Sequence, residues 1–372
     1  YKKIKQPIKL TLMSKRIFVL LHFFAVTVTA QQLQPGFNKE EYKELMYVSA
    51  RTTVNENYYK QLPAPAHFKM IYQSNPMGLD NLWDLWKDEN NHAVISIRGT
   101  TQNGLSWLEN FYSAMVPANG ELKVADDYTF KYQLATNPRA TVHVGWLLGL
   151  AFLSRDMLPK IDSLYKTGVK DFYVIGHSQG GALAYLLTAH LYHLQKQNLL
   201  PQDVKWKTYC SAAPKPGNLY FAYDYEALTQ NGWAYNVVNS ADWVPETPFS
   251  IQTLSDFNTT NPFVNAKSVI KKMGFPKNVV MKIVYNKMDR KTRKAMKYYC
   301  KNLGTRIGKM LTKNLPGFEP PPYAENMNYV RTGNYITLLA DEAYYQLFPD
   351  SKENAFAHHL HKPYLYLLNQ LK

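Results

Sequence analysis

In Gly176-His177-Ser178-Gln179-Gly180 a serine stands two residues from a glycine on either side, the combination that covalent catalysis by a hydroxyl requires. The glycines let the chain turn tightly from strand to helix, so that the hydroxyl stands exposed and the amide after it faces developing negative charge. The flanks fit that geometry. Asp171-Phe-Tyr-Val-Ile175 is a short apolar strand running into Gly176, and from Gly181 to Gln195 the residues Leu183, Leu186, Leu187, His190 and Leu191 share one helical face. A serine at its free pKa is a weak nucleophile and needs a base and an orienting acid.

In a site of this kind the chain order is serine, acid, histidine. Asp242, in Asn239-Ser-Ala-Asp242-Trp-Val-Pro245, follows the strand candidate Ala234 to Asn239 and is placed to accept the Nδ1 proton of a histidine. The base must come from His358, His359 or His361. These three could instead hold a metal, but no cysteine or suitably spaced carboxylate completes a set, so neither metal nor cofactor is expected. An oxyanion needs a second donor besides the Gln179 amide, and the end of the strand His92 to Arg98 can supply the Thr100 amide with its hydroxyl, though Arg98-Gly99-Thr100 by itself carries almost no signal.

These groups need a scaffold, and the chain has the material for one. It has 372 residues, 46% hydrophobic and 19% charged, which excludes a disordered chain and allows a large core. From Gly36 to about Pro76 the pattern reads as mixed and helical, and a polar connection follows Thr101. An apolar helix opens at Val142 and ends near Lys166, and further strands are expected at Trp206 to Ala212 and Tyr335 to Leu339. Alternating strands and helices imply an α/β fold with a mostly parallel sheet covered on both faces. Between about 251 and 330 the rhythm breaks into a helical, lysine-rich insertion with no clear strand before Tyr329. Residues 266–314 carry fifteen Lys or Arg against one acid, Asp289, so the net charge of +15 is concentrated there and in residues 1–30. Those first residues read as upstream sequence and a signal peptide: Met13-Ser-Lys-Arg, an apolar run from Ile17 to Val28, and small residues that place cleavage after Ala30. A secreted or periplasmic protein is expected, with residues 31–372 as one domain carrying the insertion. Cys210 is expected as a buried free thiol, with no disulfide to Cys300.

Five signatures in fixed order resemble the fungal-type (class 3) lipases, a family of α/β-hydrolases. They are Ile97-Arg98-Gly99-Thr100 with Ser106-Trp-Leu-Glu-Asn110, Val142-His143-Val144-Gly145-Trp146, Gly176 to Gly181, Ala213-Pro214-Lys-Pro216-Gly217-Asn218, and Asn239 to Pro245. The resemblance covers roughly residues 90 to 250. It implies Thr100 as oxyanion residue, Ser178 as nucleophile and Asp242 as acid, with His143 structural. Family members place a tyrosine five or three residues after the histidine; His359 with Tyr364 meets the first spacing and His361 with Tyr364 the second. His359 is the choice carried forward, with His361 and His358 as alternatives. The stretch after the oxyanion strand becomes a candidate lid, with Trp107, Leu108 and Phe111 as substrate-binding candidates alongside His177; the plainer reading is a helix packed permanently on the core. The basic insertion departs from the short fungal pattern.

The function expected is hydrolysis of lipid carboxylic esters, as in a triacylglycerol lipase, through an acyl-enzyme. A phospholipase A1-type enzyme on anionic membranes and a catalytically silent lipid-binding scaffold are the alternatives. The expected partner is a lipid ester, with transient contact to a membrane or lipid surface through the basic, apolar-faced insertion; no nucleic acid is expected, since no binding motif accompanies the charge.

Overall fold

In the strand Asp171–His177, Phe172 and Val174 face one side of the sheet and Tyr173 and Ile175 the other, and all four are buried. A strand apolar on both faces needs cover on both, which is the condition of a central strand in a parallel sheet. The computed structural model, which describes residue 1 and residues 32–371, places it there. Seven strands lie across the sheet in chain order: β1 (Lys69–Gln73), β2 (Trp83–Lys87), β3 (His92–Ile97), β4 (Asp171–His177), β5 (Lys205–Ser211), β6 (Ala234–Asn239) and β7 (Asn334–Leu338). The first three pair antiparallel and β3 to β7 pair parallel, with Ile97 opposite Gly176 and His177 opposite Ser211.

Helices supply the cover. Apart from the short helices Glu56–Tyr59 and Glu342–Leu347, the helices are α1 (Lys39–Thr52), α2 (Gly104–Phe111), α3 (Val144–Lys166), α4 (Gln179–Lys196), α5 (Leu219–Leu228), α6 (Ala266–Lys272), α7 (Lys277–Tyr299), α8 (Ile307–Leu311) and α9 (His361–Gln370), of which α1, α3, α4 and α9 cover the sheet. On one face α1 and α9 bury Tyr42, Leu45, Tyr364 and Leu368 with Tyr173 and Ile175. On the other, α3 and α4 bury Leu147, Leu150, Leu183 and Leu186 with Phe172 and Val174. Each such side chain withdrawn from water contributes about 1.5–3 kcal/mol, so the two layers hold the strand ends, and what hangs from them, in fixed relation. This is the α/β-hydrolase arrangement: Thr100 follows β3, Ser178 follows β4, Asp242 follows β6 and His359 follows β7, all beyond the carboxyl ends of parallel strands.

The insertion is the crossover from β6 to β7. Ile251 bridges Met327 at its base, and the arm between them contains α6, α7, a π-helical turn (Cys300–Arg306) and α8. Three expectations change. The stretch 36–76 includes β1, an edge strand whose side chains are mostly exposed and so carry no buried alternation. The polar connection after Thr101 contains two antiparallel ribbons, Met115–Pro117 with Thr141–His143 and Asn119–Ala125 with Tyr128–Gln133. Tyr329 opens no strand; its neighbour Val330 makes an isolated bridge to Gly217. Cys210, buried in β5, and Cys300 are both free thiols. Beyond residue 1, the leader expected over residues 1–30 lies outside the described residues.

Candidate active site

At the elbow the backbone itself is bent. Ser178 has φ +62° and ψ −130°, a left-handed conformation that costs a non-glycine residue on the order of 1–3 kcal/mol and persists only where surroundings enforce it. The enforcement comes from tight packing. A Cβ on Gly176 would stand 2.0 Å from the Gly180 carbonyl oxygen, and one on Gly180 would stand 2.2 Å from that of Ile97. Helix α4 starts directly after Ser178, so its first amides, Gln179 among them, present the positive end of the helix dipole beside the serine.

Asp242 is 3% exposed and lies in the turn after β6. Its Oδ1 accepts the Val244 amide at 3.0 Å, while Oδ2 accepts the Tyr364 hydroxyl and His359 Nδ1, each at 2.7 Å. His359 Nε2 is buried and has no hydrogen-bond partner among the described residues. Of the three candidate histidines, this is the one that faces the acid. His358 turns to Tyr344 (2.8 Å) and Asp350 (3.0 Å). His361 is held by Tyr58 at 2.7 Å and Ser49 at 3.3 Å, and burial drives its pKa down to about 3. The tyrosine five residues after His359 is the one that shares its carboxylate.

His177 is not a substrate-facing residue as expected; the ring is buried, with both nitrogens engaged. Nε2 donates to the His359 carbonyl at 2.6 Å, so Nδ1 must be the acceptor, and it takes the Ser211 hydroxyl at 2.9 Å. Tyr42 continues the chain to Ser211 at 2.7 Å. Burial, with His361 and His359 alongside, keeps the His177 pKa well below the usual imidazole value. The neutral ring thus links the elbow to the main chain of His359.

On the other side, the oxyanion loop is tied to α2. Gln179 Oε1 accepts the Thr100 hydroxyl at 2.8 Å and Asn110 Nδ2 at 3.0 Å; Asn110 Nδ2 also reaches Thr100 Oγ1 at 2.9 Å. The Thr100 hydroxyl is therefore spent on Gln179, which leaves main-chain amides for an oxyanion. Asn110 is fixed in turn by the Trp146 indole at 3.0 Å on its side chain and by His143 Nε2 at 3.1 Å on its carbonyl. His143 also caps α3, is stacked on Trp146 and is pushed by burial to about 3, a structural residue.

This order of elements, with a loop after β3, a serine elbow after β4 and an acid turn after β6, can be matched against known families. Residues 94–252 match the class 3 lipase family. It is the family, within the α/β-hydrolases, that the sequence resembles. The chain is 38% identical over 85 residues to Lipase ZK262.3 of Caenorhabditis elegans, and spans about a fifth of that curated relative's length, 22%, with 23% of its own. Among solved structures it is similar to lipase II from Rhizopus niveus (19% identity, 56% of this chain and 74% of that one, TM-score 0.42). It is also similar to the Lip2 lipase from Yarrowia lipolytica (17%, 59% and 78%, TM-score 0.43).

The class 3 lipase match ends at residue 252, before the histidine loop. That loop completes an aromatic rim. Phe356 lies 5.7 Å from the His359 ring, 5.6 Å from Trp243 and 6.2 Å from Trp107, and Trp107 lies 6.1 Å from Phe111, which is 53% exposed. Leu108 packs inward on the core, so of the four expected substrate contacts, His177 among them, only Trp107 and Phe111 belong to the rim. Sequence reading missed Trp243 and Phe356 as rim residues, and Asn110 as the tie between loop and helix. Asn110 was within reach: with Ser106 it forms an i,i+4 polar pair on a helix whose one other polar side chain is Glu109. Among the described residues no group of three or more His, Cys, Asp or Glu is placed to hold a metal.

Proposed function

We propose that the protein hydrolyses carboxylic esters of lipids, triacylglycerols first among them, through an acyl-enzyme formed on Ser178. The observation that carries this reading is the Asp242–His359 pair at 2.7 Å, with His359 Nε2 left unpartnered and its ring 4.9 Å from that of His177, the residue before the strained Ser178. Ser178 Oγ attacks the acyl carbon while its proton passes to His359 Nε2. Asp242 holds the imidazole in the tautomer that can receive it and stabilises the resulting cation. The amides of Thr100 and Gln179 receive the oxyanion. His359 then gives the proton to the departing alcohol; water, deprotonated by the same nitrogen, releases the fatty acid and restores the serine. The aromatic rim of Trp107, Phe111, Trp243 and Phe356 supports an apolar acyl substrate over a polar one. The leader-like residues 13–30 support work outside the cytoplasm.

Hydrolysis of short- and long-chain nitrophenyl esters by the protein and by its Ser178→Ala variant tests the reading. Serine-dependent turnover that favours long chains is expected. Folded protein that turns over neither ester would overturn it, and turnover of short chains alone would replace the lipid substrate with a soluble one.

A further inference from the structure

The arm between β6 and β7 is joined to the body at one end and unsupported along most of its length. Met296, near the carboxyl end of α7, packs with Met115, Met327 and Tyr329, and Gly304 and Gly308 of the next turns lie against Ala114, Tyr112 and Tyr323. Residues 112–115 come directly after α2, so the arm is rooted on the segment that carries the rim residues Trp107 and Phe111. Apart from Met296 at that root, α7 buries no residue, and α6 buries Ile270 alone. The rest of the pair is exposed, and its composition is unusual for a solvated face. Phe275, in the turn between the helices, is 87% exposed; Val264, Val280, Ile283 and Met288 are exposed as well. Between them stand Lys267, Lys271, Lys272, Lys277, Lys282 and Lys287. Of the basic residues in 266–314, Arg293 pairs with Asp289 and Lys297 with Glu325; the others have no carboxylate partner among the described residues.

We infer that the α6–α7 arm is a docking element for an anionic lipid surface, on which it sets down the mouth of the site. This rests on reading the site as a lipid ester hydrolase, since it names the surface on which that site meets its substrate. Two properties select a lipid surface over another polyanion. Unpaired lysines draw the arm toward acidic headgroups, and a protruding phenylalanine with aliphatic neighbours gains only where hydrocarbon lies beneath the headgroups. A phosphate backbone would use the lysines and leave Val280, Ile283 and Met288 without partners.

Co-sedimentation of the full chain with phosphatidylcholine vesicles, alone or mixed with phosphatidylglycerol, tests the assignment. Binding to the anionic vesicles is expected to be at least ~100-fold tighter, and to weaken as salt is raised. A variant with Lys271, Lys272, Lys277, Lys282 and Lys287 all replaced by Gln should lose at least ~100-fold of that affinity. The pair Phe275→Ser with Val280→Ser should lose ~10-fold at any salt concentration. A Gln variant that binds as the parent does, equal binding to both vesicle types, or binding to duplex DNA without binding to vesicles would overturn the assignment. Short nitrophenyl ester hydrolysis, measured in parallel, separates the two readings. A protein that binds anionic vesicles but hydrolyses no ester overturns the hydrolase and leaves the lipid-docking arm standing; one that hydrolyses esters but binds no vesicle overturns the arm alone.

Discussion

Helices α2 and α7 both carry apolar residues to the surface of the same part of the molecule, yet they are held in opposite ways. Helix α2 is eight residues long and is bolted down at every turn. Ser106 and Glu109 are buried, Asn81 donates to Glu109 at 2.7 Å, and Asn110 joins the helix to both Thr100 and Gln179. Helix α7 is 23 residues long and buries one. The first cannot swing without taking the oxyanion loop with it, so the reading of residues 104–111 as a packed helix is favoured over a moving lid. The second is free to meet whatever approaches. Precision at the reacting carbonyl comes from bonded, buried polar groups; contact with a surface is left to charge and exposed apolar area.

Changes on the bonded side should hurt chemistry most. Asp242→Asn keeps the shape of the turn but removes the charge that orients His359, and kcat on a short ester should fall by ~10⁴-fold, read by steady-state kinetics. Asn110→Ala unties α2 from Thr100 and Gln179, and a loss of ~10²-fold in kcat with little change in KM is expected. If either variant kept full activity, the claim that this side is built for precision would fail.

Glu109 gives the comparison a pH dependence. Burial raises its pKa from 4.5 to about 8, against the Asn81 and Gln179 side chains that pull it down. Below pH 4.5 the carboxyl is neutral in both folded and unfolded chains. Between 4.5 and about 8 the unfolded chain ionises first, so stability falls as pH rises, and above about 8 that loss is complete. Glu109→Gln should flatten this slope and stabilise the protein at pH 8–9 by on the order of a few kcal/mol, measured by urea unfolding across pH. An unchanged slope would mean that the buried Glu109 carboxyl does not titrate above its ordinary range in the folded protein.

The smallest effect is expected on the exposed side. Replacing the five arm lysines by Gln should leave short-ester kcat/KM within about twofold, because the arm touches the body only at its root. A large loss there would mean that the arm shapes the site directly.

Most of the bonded side was legible in the sequence. The elbow, Asp242 and Thr100 each sit where a strand ends, and strand, turn and helix signals are local. The choice among His358, His359 and His361 was not local: it depends on which ring meets Asp242 across 117 residues of chain, including the arm. Tyr364 narrowed it to two, and the buried pairing of His361 with Tyr58 and Ser49 removed the second. Edge strand β1 and the three-residue strand Met115–Pro117 were missed for the opposite reason, that exposed or short strands bury too little to leave a period-2 pattern; the ribbon Asn119–Ala125 with Tyr128–Gln133 did carry one, in Leu122, Val124, Phe130 and Tyr132, and was overlooked. His177 misled because adjacency to the nucleophile says nothing about which way a ring turns; Ser211, in the neighbouring strand, decides it.

Every step of ester cleavage depends on Ser178 as the nucleophile, and covalent capture is the measurement that reaches it. A nitrophenyl alkylphosphonate presents a tetrahedral phosphorus; attack by the serine oxygen forms an O–P bond and expels nitrophenolate, leaving a stable mimic of the acyl-enzyme transition state. Intact-mass and peptide mass spectrometry should show one phosphonyl group per chain on the peptide containing Ser178. Labelling should be slowed strongly in Asp242→Asn and absent in Ser178→Ala. A label on another residue, or an active protein whose Ser178 peptide stays unmodified, would contradict the account.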